Sequence, residues 1–190
     1  MGLRRRPRRP TPGPLTRLTF AGNINYRAAW MADGRSLSFS SDAQGPATRL
    51  FRVRADGSDK PERLFADDTA QIDEVDWSRD GQWVVYRVGT IAGVRNVFAR
   101  RLTGDTTPIA VAARPADEYM PALSPDGKWL YYFVNKTDLN AGSLTLKRVK
   151  LDGTGRETVV TIDKPLHGTT RKISKIYPLS TISSDGKRIA

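Results

Sequence analysis

Four copies of one short segment recur along the chain: Trp30-Met31-Ala32-Asp33-Gly34, Trp77-Ser78-Arg79-Asp80-Gly81, Leu123-Ser124-Pro125-Asp126-Gly127 and Ile182-Ser183-Ser184-Asp185-Gly186. Their Asp-Gly pairs are 47, 46 and 59 residues apart. A near-constant period of this size means one supersecondary unit used repeatedly, each unit burying its apolar face against its neighbours. The chemistry of the pair explains its place. A tight hairpin needs a residue at positive φ, which glycine takes without a Cβ clash. In Ser124-Pro125-Asp126-Gly127 the proline presets φ, aspartate favours the next position and glycine supplies the left-handed one. These aspartates are therefore read as turn formers, not as ligands or catalytic acids.

An apolar, β-prone stretch follows each turn: Leu37 and Phe39, then Trp83–Tyr86, then Trp129–Tyr132. A second turn follows further on, at Asp56-Gly57, Thr103-Gly104 and Asp152-Gly153. The runs before it, such as Leu50–Arg54 and Leu144–Leu151, alternate apolar with polar side chains, as half-exposed strands do. Outer strands are expected at Glu62–Phe65, Pro108–Ala112 and Glu157–Thr161, and one of the same kind at Leu15–Phe20. No capped stretch of helical periodicity competes. The fold class is thus all-β, with a period that matches one β-propeller blade: three complete four-stranded antiparallel blades and the start of a fourth. The units are a basic, Pro-rich tail over 1–14, read as disordered, an outer strand at 15–20, and blades at 27–65, 74–112 and 119–161. A basic inter-blade insert at 162–177 and an incomplete blade at 178–190 follow. Trp30, Trp77 and Leu123 should end equivalent innermost strands, with Trp83 and Trp129 near blade–blade contacts.

Residues Trp77–Tyr86 and Glu118–Tyr132 carry a family likeness. The pattern Trp-Ser-Pro-Asp-Gly, an apolar strand, a second turn and an outer strand resembles the TolB-like β-propeller repeat. Residues 15–134 resemble most closely the propellers C-terminal to bacterial serine/threonine kinases. Blade one departs from the pattern, with Met31-Ala32 where Ser-Pro is expected. The resemblance implies a six-bladed ring, a binding role and a periplasmic or otherwise extracytoplasmic position. Three and a fraction blades form an arc where propellers close with about four to eight. Arg188-Ile189-Ala190 fall inside a strand whose equivalents continue to Tyr86 and Tyr132, so a longer parent protein is expected. The rival, a three-blade protomer pairing into a six-bladed ring, fits the cut-off fourth blade poorly. The remaining blades are expected from the missing part of that polypeptide.

Alternating connections in a four-stranded blade put the short Asp-Gly turns on one face. The longer loops Asp42–Ala47, Arg87–Gly93 and Asn135–Ser143 and the link Ile162–Pro178 then share the other, as binding loops on a rigid scaffold do. The charge distribution bears on that face. The net charge is +11, yet residues 15–135 hold fifteen basic and fifteen acidic side chains. Five arginines lie in the tail. The link adds Lys164, His167, Arg171, Lys172 and Lys175 with no acid after Asp163. Lys164, Arg171, Lys172 and Lys175 are the candidate binding residues, against the plainer reading of a solvated loop. A protein or peptide partner is expected; with most of the folded part neutral and no reader motif, nucleic acid is not.

No catalytic constellation is legible. There is no cysteine and one histidine, His167, so thiolate sites, His-based triads and multi-His metal sites have no residues to use. No Gly-x-Ser-x-Gly elbow occurs, and Gly142-Ser143 and Gly168-Thr169-Thr170 lack the spacing of a phosphate loop. The acids Asp67, Asp68, Asp73, Glu74 and Asp76 could gather oxygens for Ca²⁺ but lack the loop spacing of a calcium motif. They are read as a solvated inter-blade loop. No cofactor or metal is expected, and no apolar run reaches the ~20 residues that span a bilayer. Two functions fit: a non-catalytic binding or sensory propeller of a larger bacterial protein, or the substrate-filtering propeller of a prolyl-oligopeptidase-type serine peptidase.

Overall fold

A computed structural model describes residues 15–65, 70–89, 95–113, 116–135 and 143–163. Twelve strands form three separate four-stranded antiparallel sheets, each in simple sequence order. Blade one contains β1 (Asn25–Trp30), β2 (Ser36–Ser41), β3 (Arg49–Arg54) and β4 (Glu62–Arg63). Blade two contains β5 (Ile72–Trp77), β6 (Trp83–Val88), β7 (Asn96–Arg101) and β8 (Ile109–Ala112). Blade three contains β9 (Asp117–Leu123), β10 (Trp129–Asn135), β11 (Ser143–Lys150) and β12 (Glu157–Asp163). No helix occurs among the described residues.

The repeated turns set the register. Gly34, Gly81 and Gly127 lie at φ of 60°, 68° and 68° and donate their N–H to the carbonyls of Met31, Ser78 and Ser124. The preceding aspartate caps the turn: Asp80 accepts from Ser78 Oγ and Gln82 N, and Asp126 from Ser124 Oγ and Lys128 N. Asp33 does the same with Arg35 N, Ser36 N and Ser36 Oγ. These bonds hold all three carboxyls below the ordinary carboxylate range. The turn-forming role expected for these aspartates is the one they have.

The core lies between sheets, because each blade has two faces and a neighbour for each. Strand alternation sends Val84 and Tyr86 of β6 towards blade one, where they meet Leu50, Leu64 and Phe65, while Val85 points to blade three and meets Leu123, Leu130 and Tyr132. A third cluster, Phe39, Phe51 and Val53 with Leu18 and Leu37, covers the far face of blade one.

Two differences from the sequence reading are local. Leu15–Phe20 forms no strand. An outer strand exists only when a third strand offers it a hydrogen-bonding edge, and each described sheet already has its fourth strand. The first strands begin at Asn25, Ile72 and Asp117, two residues ahead of the 27, 74 and 119 expected, and each runs through a β-bulge before its turn. The candidate residues Lys164, Arg171, Lys172 and Lys175, with His167, the tail over 1–14 and the incomplete blade at 178–190, lie outside the described residues.

Candidate functional site

The three innermost strands β1, β5 and β9 converge on one axis, and at that axis their bulges coincide. Arg27, Glu74 and Met120 each take a left-handed backbone, at φ of 59°, 49° and 56°. Their spacing, 47 and 46 residues, is the blade period. For a residue with a Cβ this conformation costs about 1–2 kcal/mol, so three equivalent occurrences mark a built feature of the repeat. Around them lies a cavity of about 160 Å³ lined by Arg27, Ala29, Glu74, Val75, Met120 and Ala122.

Glu74 binds three blades together. Its Oε1 accepts from Arg27 Nη2 of blade one at 3.2 Å, its Oε2 lies 3.0 Å from Arg87 Nε of its own blade, and Oε2 also accepts from Met120 N of blade three at 2.7 Å. Asp73 pairs with Arg87 Nη2 and lies 3.8 Å from Arg27 Nε. Two carboxylates therefore face two guanidiniums, and the cluster carries no net charge. Arg87, Asp73 and Glu74 are buried, so the pairing is unscreened by water, and removing one member would strand the others. Asp76, two residues on, accepts the N–H of Leu123 from the next blade at 2.8 Å and that of Trp77 at 2.9 Å. Burial pushes its carboxyl above the ordinary value, against the opposing pull of those two bonds.

This corrects the reading of Asp73, Glu74 and Asp76 as a solvated loop. They belong to β5, and their oxygens meet guanidinium or backbone N–H donors. Among the described residues no group of three or more metal-ligating side chains converges. Asp67 and Asp68 lie outside the described residues. The signal that could have revealed the cluster is positional: Arg27 and Glu74 occupy equivalent places in successive repeats with opposite charge.

The joint between blades two and three has further ties. Arg95 forms a bidentate pair with Asp117 and stacks over Tyr119, 5.0 Å from its ring centre. Arg156 donates to Val111 O at 2.7 Å and to Tyr132 Oη at 3.1 Å. Burial raises the Tyr119 phenol, opposed by the Arg95 charge.

A second concavity opens on the short-turn face. Trp83, Lys128, Trp129, Lys150, Leu151 and Asp152 line a groove of about 510 Å³. Trp83 packs against the core between blades two and three, as expected for a joint residue. Its ring carries Arg101 at 4.9 Å, and that of Trp129 carries Arg148 at 4.4 Å. The register sets Trp83 directly opposite Arg101 and Trp129 opposite Lys150, 6.0 Å from its ring centre, while Arg148, opposite Tyr131, reaches Trp129 diagonally. The groove thus offers aromatic walls, flanking cations and Asp152, whose carboxylate is taken up by Thr154. It lies on the face opposite the longer loops.

Three radially joined four-stranded blades define a β-propeller segment. No family model matches the chain. Its fold is similar to the putative TolB of Agrobacterium tumefaciens, with a TM-score of 0.61 and 19% identity over 75% of this chain and 51% of that one. TolB of Acinetobacter baumannii aligns with a TM-score of 0.59 and 20% identity over 74% and 33% of the two chains. In sequence the chain is 25% identical over 150 residues to the uncharacterized peptidase YuxL of Bacillus subtilis, covering 60% of this chain and 22% of that protein. The chain therefore spans about a fifth of that curated relative and a third to a half of the two solved structures.

Proposed function

We propose that this propeller segment is a non-catalytic binding module of a larger bacterial protein, taking a protein or peptide partner that carries acidic groups. The observation that carries the reading is the open groove walled by Trp83 and Trp129 and edged by Lys128 and Lys150. Half-buried tryptophans with arginines stacked on their rings, as Arg101 on Trp83 and Arg148 on Trp129, are the residue types enriched in interface hot spots, and the two lysines add attraction for acidic groups. The axial charges, by contrast, are engaged with one another. Reversing the two exposed cations, Lys128→Glu with Lys150→Glu, should abolish titratable binding of an acidic, aromatic-containing peptide in calorimetry at low salt. Undiminished binding in that variant would remove the groove from the account.

The basic link, which the topology puts with the longer loops on the opposite face, is proposed as a separate contact for acidic groups. Replacing Arg171, Lys172 and Lys175 by Ala is expected to weaken binding and its salt sensitivity together, with Lys164 left as the remaining cation. Unchanged affinity would return the link to a solvated loop.

A second reading is favoured by the likeness to a protein named as a peptidase. In it the propeller filters substrates for a separate hydrolase domain of prolyl-oligopeptidase type. A Gly-x-Ser-x-Gly elbow in the same polypeptide, and labelling of the full-length protein by a serine-directed fluorophosphonate, would select it over the first.

A further inference from the structure

The groove on the short-turn face is built from repeated positions, so its walls can be compared blade by blade. Ser36, Trp83 and Trp129 open the second strands of their blades and lie 47 and 46 residues apart. Across the pairing they face Arg54, Arg101 and Lys150, the last residues of the third strands. Blade one shows what the fold needs at this place. Ser36 is buried and its hydroxyl is bonded to Asp33 within the turn, and the joint with blade two closes without an aromatic side chain there. The half-buried tryptophans of blades two and three are therefore additions that the repeat does not demand.

The charges differ between blades in the same way. Arg54 is paired with Asp56 at 3.2 Å. Thr103 stands in the place of Asp56 in blade two, and in blade three the Asp152 carboxylate is held by Thr154. Among the described residues Arg101, Lys150 and the neighbouring Lys128 form no ion pair, unlike Arg148, which Glu157 holds. The indole N–H groups of Trp83 and Trp129 likewise meet no acceptor among the described residues, whereas that of Trp77 is bonded to Ser38. What the groove leaves unmatched is thus one-sided: cations and N–H donors beside two indole rings. Ring and cation are also adjacent. A Cβ at Gly155 would lie 3.5 Å from both Trp129 Cη2 and Lys150 Cε, so the indole and the lysine stem run side by side along that turn.

Resting on the reading of this groove as the binding surface, we propose that it selects a short linear motif in its partner: one aromatic residue with an acidic residue on each side. The aromatic ring lies against the indoles, the flanking carboxylates meet Lys128 and Lys150, and the indole N–H groups are left for carbonyls of the bound segment. Charge complementarity specifies the flanking residues. The tryptophans that the fold does not demand specify the central one, because a carboxylate alone would need the cations and not the rings. The groove's volume of about 510 Å³ is that of a site for a small ligand, which suits one large side chain and its two neighbours.

The test uses the 190-residue chain labelled with ¹⁵N-tryptophan, whose four indole N–H signals in nuclear magnetic resonance report Trp30, Trp77, Trp83 and Trp129 separately. Trp83→Phe and Trp129→Phe assign the two signals of the groove. Three capped peptides are titrated at low salt: Glu-Phe-Glu, Glu-Ala-Glu and Lys-Phe-Lys. The first should shift the Trp83 and Trp129 signals and leave that of Trp77 in place. It should bind roughly tenfold more tightly than Glu-Ala-Glu, the worth of one aromatic contact, and Lys-Phe-Lys should not bind. Equal affinity for Glu-Phe-Glu and Glu-Ala-Glu overturns the motif while leaving an acid-binding groove standing. Lys-Phe-Lys binding as tightly as Glu-Phe-Glu, or no shift of either groove signal by any peptide, overturns the motif and the groove reading together.

Discussion

Glu74 carries the strongest single claim about how the blades are held. The substitution Glu74→Gln keeps the side chain's length but removes its charge and turns an amide NH₂ towards one of three donors, Arg27, Arg87 or Met120 N. Breaking a buried ion pair from one side costs about 3–5 kcal/mol. Asp73 remains beside both arginines, which puts the expected loss at the low end, about 3 kcal/mol. For a domain of this size that lowers Tm by roughly 6–12 °C. The matched control is Glu62→Gln, which breaks the Arg52–Glu62 pair at 2.5 Å on the surface, where the two side chains are 34% and 58% exposed. Solvent-exposed pairs contribute about 0.2–1 kcal/mol. Urea unfolding followed by tryptophan fluorescence and far-ultraviolet circular dichroism measures both variants on one scale. If Glu74→Gln costs no more than Glu62→Gln, the axial cluster does not hold the blades together and the reasoning fails.

Three further outcomes follow from the joints and turns. Trp77→Phe and Ser38→Ala should each cost about 1–2 kcal/mol, the double variant less than their sum, since one buried hydrogen bond is lost in both; strict additivity in urea melts would refute the contact. Because burial raises Asp76 in the folded chain, the folded state holds that proton more tightly. Its contribution to stability therefore rises as pH falls from neutral towards the ordinary carboxylate value of 3.8. The stability of the natural chain relative to Asp76→Asn should grow over that window, and a constant difference would contradict it. Gly81→Ala should destabilise by about 1 kcal/mol, since alanine resists positive φ and its Cβ would meet Ala32 Cβ at 3.3 Å; an unchanged urea midpoint would argue against the turn.

The repeat was legible because its punctuation is local. Asp-Gly turns and the alternating runs after them depend on φ and on side-chain period, both of which the sequence displays directly. What stayed hidden depends on neighbours. Arg27, Glu74 and Met120 are left-handed without being glycine, so no residue type announces their bulges. Asp73, Glu74 and Asp76 look like any acidic surface run until the adjacent blades bring Arg27, Met120 N and Leu123 N to them. Leu15–Phe20 has the composition of a strand, but pairing needs an edge that no described strand provides. The groove combines residues from two blades and a turn, and its members are unremarkable singly. The kinase-linked placement remains a resemblance carried by Trp77–Tyr86 and Glu118–Tyr132.

The central claim is that the three sheets turn about a common axis, and distances between equivalent points test it most directly. The chain has no native cysteine, so single cysteines can be labelled without background. Arg35, Gln82 and Lys128 are exposed residues that follow the Asp-Gly pairs of successive blades. Spin labels placed pairwise at these positions and read by pulsed electron resonance should give two equal steps, 35 to 82 and 82 to 128. The 35 to 128 distance should be clearly shorter than their sum, as for points on an arc. A distance equal to the sum would describe sheets stacked in a straight line and would contradict the propeller.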